Sequence, residues 1–404
     1  MHTKTMLEQA KEHLHFLCSE TGDRRVGGEG NRQATDYVKK LLQKSGWETL
    51  ETKLPVMDWK TDGAALICGQ QRFEVSSSPY SLGCDVEGVL IPADSIEKLK
   101  KAAITGKIVL LYGKIAAEQV MPKNFVFYNP EEHQEIISVL EQGKPLALVC
   151  ATGRNGACAG GVYPFPLFED GDFEIPSVYM KDIEGEKLLA CSGKTVHLES
   201  KAIRIPELAY NIAAQYNADN KKRIVITAHI DAKIGSPGAI DNATGVAVLI
   251  LLAGLLENYK GKYGIEIVAF NGEDYYAVPG QMKYIEQNND NFDSILLNIN
   301  IDGAGYKEGP SCFSAFSLPA SIQSKFDELI QNRPDIVNGL PWVQGDHSIF
   351  VQYNCPAIAV SSNWFIENIE NQDITHTPKD NLNIVSYERV VECATAIHQL
   401  INSL

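Results

Sequence analysis

The chain has 404 residues, 44% hydrophobic and 22% charged, with 32 glycines and 18 prolines, which excludes fibrous and disordered classes. A formal net charge of -15 excludes a nucleic-acid surface built from clustered Lys and Arg. No run approaches the ~18 apolar residues of a membrane span. The opening MHTKTMLEQAKEHLHFLCSE has neither the apolar stretch nor the cleavage site of a secretory leader. The expectation is a cytoplasmic protein with no membrane or nucleic-acid partner, a homo-oligomer being left open.

Residues 1–45 read as helices, with Leu7, Leu14 and Leu17, then a turn at Gly22, Gly27, Gly28 and Gly30, then Ala34, Tyr37, Val38, Leu41 and Leu42 at helical spacing. WETLETKLPV alternates like a strand. From Met57 to about Ser200, short β-like runs (AALIC, RFEVSS, GKIVLLYG, LALVCA, PSVYM, TVHLES) are separated by turns and short helical patterns. Then come the strands ELAYNIAAQY and KRIVITAHID, a helix at 244–259, the strand GIEIVAF, a helix near Gln281 and the strand SILLNINID. A helix at 321–332, the strand CPAIAVSS and a helix at 386–403 close the chain. Alternating strands and helices imply a layered α/β domain from 1–56 and 200–404, with a β-rich insert at 57–199.

Nine cysteines (18, 68, 84, 150, 158, 191, 312, 355 and 393) are scattered without a CxxC pair, so reduced, mostly buried thiols are expected. Cys150 and Cys158 flank ATGRNGA with no partner histidine nearby. His13 and His15 read as solvated on the first helix, and His133, His197 and His398 as isolated.

Ligands gather beyond the carboxyl ends of strands in open α/β sheets. At those ends stand His229 and Asp231, then Asn271, Gly272, Glu273 and Asp274, then Asp302, while loops bring Asp241 and His376. Singly, each has a bland reading; Asp241, for one, is well placed to cap the helix from Thr244. Together, carboxylates converging on one edge repel one another unless a cation neutralises them. Two histidines among carboxylates suit Zn²⁺, Mn²⁺ or Co²⁺ better than Ca²⁺ or Mg²⁺.

The series HID, GAIDNATGVA, FNGED, NIDGAG, GDHSIF and ITHTPKDN resembles the bacterial leucyl-aminopeptidase family with two co-catalytic zincs, to which glutamate carboxypeptidases and glutaminyl cyclases are related. The opening RVGGEGNRQATDYV is similar too, and the block from GKIVLLYG to TVHLES resembles an inserted protease-associated domain. The resemblance implies a three-layer α/β/α mixed sheet of the zinc exopeptidase type and a peptide substrate. It implies two divalent ions, zinc first, bridged by Asp241, with His229 and Asp302 on one and Asp274 and His376 on the other. Glu273 would be the general base. Asp231 would accept a hydrogen bond from the other nitrogen of His229. A cis peptide is implied at Asp241–Asn242.

Two positions depart from that pattern. Asp274 stands where the aminopeptidases carry Glu, one methylene longer. Trp342 stands five residues before His347, where some relatives carry an oxyanion-stabilising tyrosine; packing is its first expectation, and Asp346 and His347 read as supports. Tyr275 and Tyr276 read as pocket lining or as loop packing. The alternatives are a glutaminyl cyclase-like enzyme, a carboxypeptidase-like enzyme and a non-catalytic binding protein on the same fold.

Overall fold

The computed structural model describes residues 3–154, 162–217, 220–289, 291–369 and 371–404, so Cys158 lies outside the described residues. Two compact units emerge: Met1–Val56 with Leu208–Leu404, and Met57–Glu207. The second unit extends to Glu207 because the strand Thr195–Tyr216 runs unbroken past residue 200.

In the first unit the sheet order is Ile336–Asn338, Ser311–Phe316, Ala357–Ser362, Ile295–Ile301, Arg223–His229, Gly264–Phe270 and the end of Thr195–Tyr216. The four strands between Ser311–Phe316 and Thr195–Tyr216 are mutually parallel, and these two flank them antiparallel. Period-two alternation sorts the side chains. Ile224, Ile226 and Ala228, Ile265, Ile267 and Ala269, and Leu297, Ile299 and Ile301 share one apolar cluster. The helix Thr244–Leu255 joins that cluster; TGVAVLILLAGL is apolar on every side, so only a fully buried position suits it. Each large aliphatic buried there contributes ~1.5–3 kcal/mol. The helices Thr3–His15 and Tyr387–Ser403 pack into the same cluster.

The opposite row carries polar groups. Thr227 Oγ1 donates to Asn300 Oδ1 at 2.7 Å, and Glu266 accepts from Arg223 at 2.7 Å and from the Tyr284 hydroxyl at 3.2 Å. Phe270 packs edge-on against Tyr284 of the helix Pro279–Asn288, centroids 5.3 Å apart. Helices therefore cover both faces, giving the three-layer α/β/α arrangement around a mixed sheet.

Three sequence expectations change. Ser311–Phe316, not expected as a strand, joins the sheet because its serines find distant partners: Ser314 Oγ donates to the Leu340 carbonyl at 2.8 Å and Ser311 Oγ accepts from Cys393 Sγ at 3.4 Å. His13 is not solvated: only 5% exposed, its Nδ1 lies 2.8 Å from the Tyr37 hydroxyl, and burial pushes the imidazole down to about 4. His133 and His197 are not isolated. His133 Nδ1 accepts from the Met121 N–H at 3.1 Å, and His197 Nε2 pairs with Asp85 at 2.6 Å.

The second unit is itself a small α/β sheet. Cys84–Ala93, Ile108–Leu111, Ala147–Thr152 and Ser177–Lys181 run parallel, and alternate residues feed two apolar clusters. The helix Glu131–Gly143 is longer than the short patterns expected, and it buries Ile136, Ile137 and Leu140.

Candidate metal centre

Strand register sets out the centre. Asn300 pairs with Thr227, so two residues on, His229 and Asp302 stand level and on the same face, beyond that polar row. Phe270 pairs with His229, which delivers Asn271–Asp274 beside them. Asp241 precedes the helix Thr244–Leu255, and His376 comes from a loop in the left-handed region at φ 61°.

Asp241 is shared. Its Oδ1 lies 3.1 Å from His229 Nε2 and its Oδ2 3.2 Å from His376 Nε2. Asp302 Oδ1 is 3.6 Å from the same atom of His229, and Asp274 Oδ1 is 2.8 Å from that of His376. Two triplets, each one histidine and two carboxylates, thus meet at one bridging aspartate. Asp274 makes the reach despite its shorter side chain.

The chemistry of this set fits divalent cations. His229 Nε2 is buried and makes no hydrogen bond although carboxylate oxygens stand close by, which is how a ligand nitrogen is left for a metal. Asp274 Oδ2 is likewise buried without a partner. Donor atoms of His229, Asp241 and Asp274 all lie within 4.8 Å of one another. Burial opposes charge on His229, yet Asp231, Asp241 and Asp302 raise its pKa well above the ordinary imidazole value. His376 is raised in the same sense, burial being overcome by Asp274 and Asp241. Burial also raises Asp302, and it lifts Glu273 well above the carboxylate range, with Asp274, Asp302 and Asp346 adding to the effect and His229 opposing it. Asp241 is instead held below that range, since both imidazoles outweigh its burial. So dense a carboxylate cluster is stable where cations balance it.

Asp231 works differently from the sequence expectation. His229 Nδ1 lies 3.1 Å from the backbone carbonyl of Asp231 and 3.7 Å from its carboxylate. The carboxylate is turned toward three backbone N–H groups, those of Gly272 at 2.7 Å, Glu273 at 3.3 Å and Asp274 at 3.0 Å. It clamps the loop that carries Glu273 and Asp274.

Further supports were not foreseen. Asp380, fully buried, accepts from the N–H of Ile240 at 2.7 Å and of Asp241 at 3.0 Å. It stands four residues after His376 in the quoted ITHTPKDN, and that spacing was the available signal. Arg24, 1% exposed, donates to the carbonyls of Leu17, Ile230, Pro237 and Gly238 at 2.6–3.0 Å. Asn31 and Asn271 exchange two amide hydrogen bonds of 2.9 Å, and the Asn271 N–H donates to Asn211 Oδ1. The Asp241–Asn242 peptide is cis, and Asn242 Nδ2 donates to the Ile301 carbonyl at 2.8 Å.

Asp346 and His347 stay outside the two triplets. Asp346 Oδ1 accepts from Gln281 Nε2 at 2.6 Å, and burial pushes its carboxyl up to about 7. His347 Nε2 lies 2.8 Å from the Trp342 carbonyl, and the two rings meet edge-on at 4.7 Å. Tyr275 and Tyr276 are buried against each other, centroids 4.4 Å apart, so packing is part of their role.

Comparison with known proteins agrees with this geometry. Residues 211–401 match the model of peptidase family M28. The chain is 26% identical over 312 residues to a protein of Mycobacterium tuberculosis named probable lipoprotein aminopeptidase LpqL, an alignment covering 74% of this chain and 58% of that protein. The chain thus spans less than two thirds of that relative. A solved zinc aminopeptidase from Bacillus subtilis superposes with a TM-score of 0.74 at 18% identity, covering 98% of this chain and 94% of that one. A solved glutaminyl cyclase of Fimbriiglobus ruber gives a TM-score of 0.53 at 11% identity, covering 98% and 95%. The match over 211–401 falls on the strands and loops that assemble the two triplets, so the part of the chain that builds the centre is the part that is similar to peptidase family M28.

Proposed function

We propose that the chain is a metal-dependent aminopeptidase that removes the N-terminal residue of peptides, with zinc as the first choice of metal. The observation that carries this reading is Asp241, one carboxylate oxygen toward each histidine, with Asp302 and Asp274 on the outer sides. His229, Asp241 and Asp302 would hold one ion, and His376, Asp241 and Asp274 the other. Bound ions would supply Lewis acidity toward the scissile carbonyl and lower the pKa of the attacking water.

Glu273 performs the proton transfers. Its backbone is fixed by the Asp231 clamp, and burial raises its proton affinity, as a base working near neutral pH requires. It takes one proton from the attacking water and passes it to the amine nitrogen as the C–N bond breaks. Excess carboxylate around the centre favours the α-ammonium group of a free amino terminus. Arg24, the buried cation behind the Asp241 loop, is engaged by four backbone carbonyls and is no receptor for a substrate carboxylate, which counts against the carboxypeptidase reading.

The test is release of free amino acids from aminoacyl anilides. Glu273→Gln should lower kcat by at least about 10³-fold with metal content, measured by mass spectrometry, unchanged. Loss of ammonia from N-terminal glutamine peptides without shortening would replace this reading with the cyclase one.

A further inference from the structure

The large apolar side chains exposed in the first unit are unevenly placed. Among the described residues they are Leu50, Ile234, Leu340, Val343 and Ile369. All but Leu50 lie on segments that bound the metal centre. Ile234 stands between Asp231 and Asp241, Ile369 between the helix Asn363–Glu367 and His376, and Leu340 and Val343 on the segment 339–345. Among the described residues, none lies on the segments that feed the amino ends of the four parallel strands. Single exposed apolar residues are ordinary, whereas several gathered at one end of a sheet mark a surface that a ligand covers.

The segment 339–345 shows this most plainly. Its residues 340–343, LPWV, form an apolar run in which Leu340 is 70% and Val343 83% exposed and Trp342 is partly buried. Runs of this kind are selected against on a surface without a binding role. Their backbone is held in place. The Gly339 N–H donates to the Phe313 carbonyl at 2.9 Å, Ser314 Oγ to the Leu340 carbonyl at 2.8 Å, and the Ser348 N–H to the Gly345 carbonyl at 3.1 Å. A Cβ on Gly345 would lie 3.1 Å from Asp302 Oδ2, so the segment ends against a carboxylate of the centre. Two residues of chain span at most ~7 Å, which keeps the Cα of Val343 within that distance of Gly345.

The centre itself is closed in. The side chains of Asp241, Asp302 and Asp274 are 13%, 15% and 6% exposed, and that of His229 only 1%. An aminopeptidase takes the first residue of a peptide into such a centre, and the rest of the peptide leaves toward solvent across the rim. An extended peptide advances ~3.3–3.6 Å per residue, so its second and third residues pass at the range of Val343 and Leu340. We propose that Leu340 and Val343 form an apolar ledge for the side chains of those two residues, so that the enzyme prefers peptides apolar just after the scissile bond. This assignment rests on the aminopeptidase reading and concerns the downstream part of the substrate, not the residue released.

The experiment compares leucinamide, which has no downstream residue, with the peptides Leu-Gly-Gly and Leu-Val-Val. For the wild type, kcat/KM should be about tenfold higher for Leu-Val-Val than for Leu-Gly-Gly, the low end of hydrophobic discrimination because the ledge stays open to water. The difference should reside in KM, since the ledge touches no reacting atom. In the double variant Leu340→Ser, Val343→Ser, with metal content checked by mass spectrometry, the ratio should fall to within about twofold, and Val343→Ile should keep it. A wild-type ratio within twofold, or a ratio that the double variant leaves at its wild-type value, overturns the proposal alone. Sedimentation of both proteins guards against another occupant: a wild-type dimer that the double variant dissociates would give the ledge to a second copy and overturn the proposal too. Failure of the wild type to release leucine from leucinamide would instead sink the aminopeptidase reading, and the ledge with it.

Discussion

The two histidines of the centre arrive by different routes. His229 ends a strand buried from Ile224 onward, level with Asp302 on the next strand, so the sheet's hydrogen-bond register alone sets that half. His376 sits on an irregular loop at φ 61° with its side chain 27% exposed, and its partner Asp274 lies on a second loop held by the Asp231 carboxylate. One half is fixed by secondary structure and the other by side chains that clamp backbone. Pre-organisation therefore differs across a site whose two triplets have the same composition.

This contrast predicts unequal losses. His229→Ala should abolish activity and strip most bound metal, while His376→Ala should abolish activity yet keep about one ion per chain, both read by mass spectrometry after desalting. Equal metal loss in the two would erase the distinction. Asp231→Asn weakens the clamp on the loop half and should cost roughly 10–100-fold in activity, in the range of other lost outer supports. Its metal deficit should fall on one ion, not both. Arg24→Met leaves carbonyls of the Asp241 loop unpaired in the interior and should destabilise the fold by on the order of 3 kcal/mol, measured by urea unfolding. Asp274→Glu sharpens the comparison from the other side. With its N–H held 3.0 Å from Asp231 and its Oδ1 already 2.8 Å from His376, a longer carboxylate overreaches, so a severalfold weaker second ion is expected by metal titration. Tighter binding would mean that the loop, not the side chain, sets the reach.

The smallest effect is a control that should move neither half. His13 is neutral in the fold, its pKa about 4 against an ordinary 6.5. Between those values the unfolded chain binds the proton and the folded one does not, so stability rises with pH across the window, by no more than about 3 kcal/mol. His13→Phe should flatten the thermal stability profile between pH 4 and 6.5 while metal content stays the same.

Much of the strand-built half was legible because register and alternation are local rules. RIVITAH and LLNINID show apolar residues alternating with Thr227, Asn298, Asn300 and the two ligands, and the topology of parallel strands brings the ends together. The clamps were not legible. Arg24 acts on carbonyls more than 200 positions away, and Asp380 acts on N–H groups 139 and 140 positions away, through backbone atoms that carry no sequence signature. Asp231 was noticed, but its carboxylate serves the loop more than the histidine, since three converging N–H groups outcompete one imidazole.

The amide pair between Asn31 and Asn271 bears on modularity. The family match begins at residue 211, yet the turn leading to Glu273 is buttressed by a side chain from the helix Glu29–Lys44, and the Asp241 loop by Arg24. A fragment cut to the matching segment would keep every ligand and lose the frame that aims them. The early helices are thus part of the smallest cassette that could be transplanted or circularly permuted with its chemistry intact.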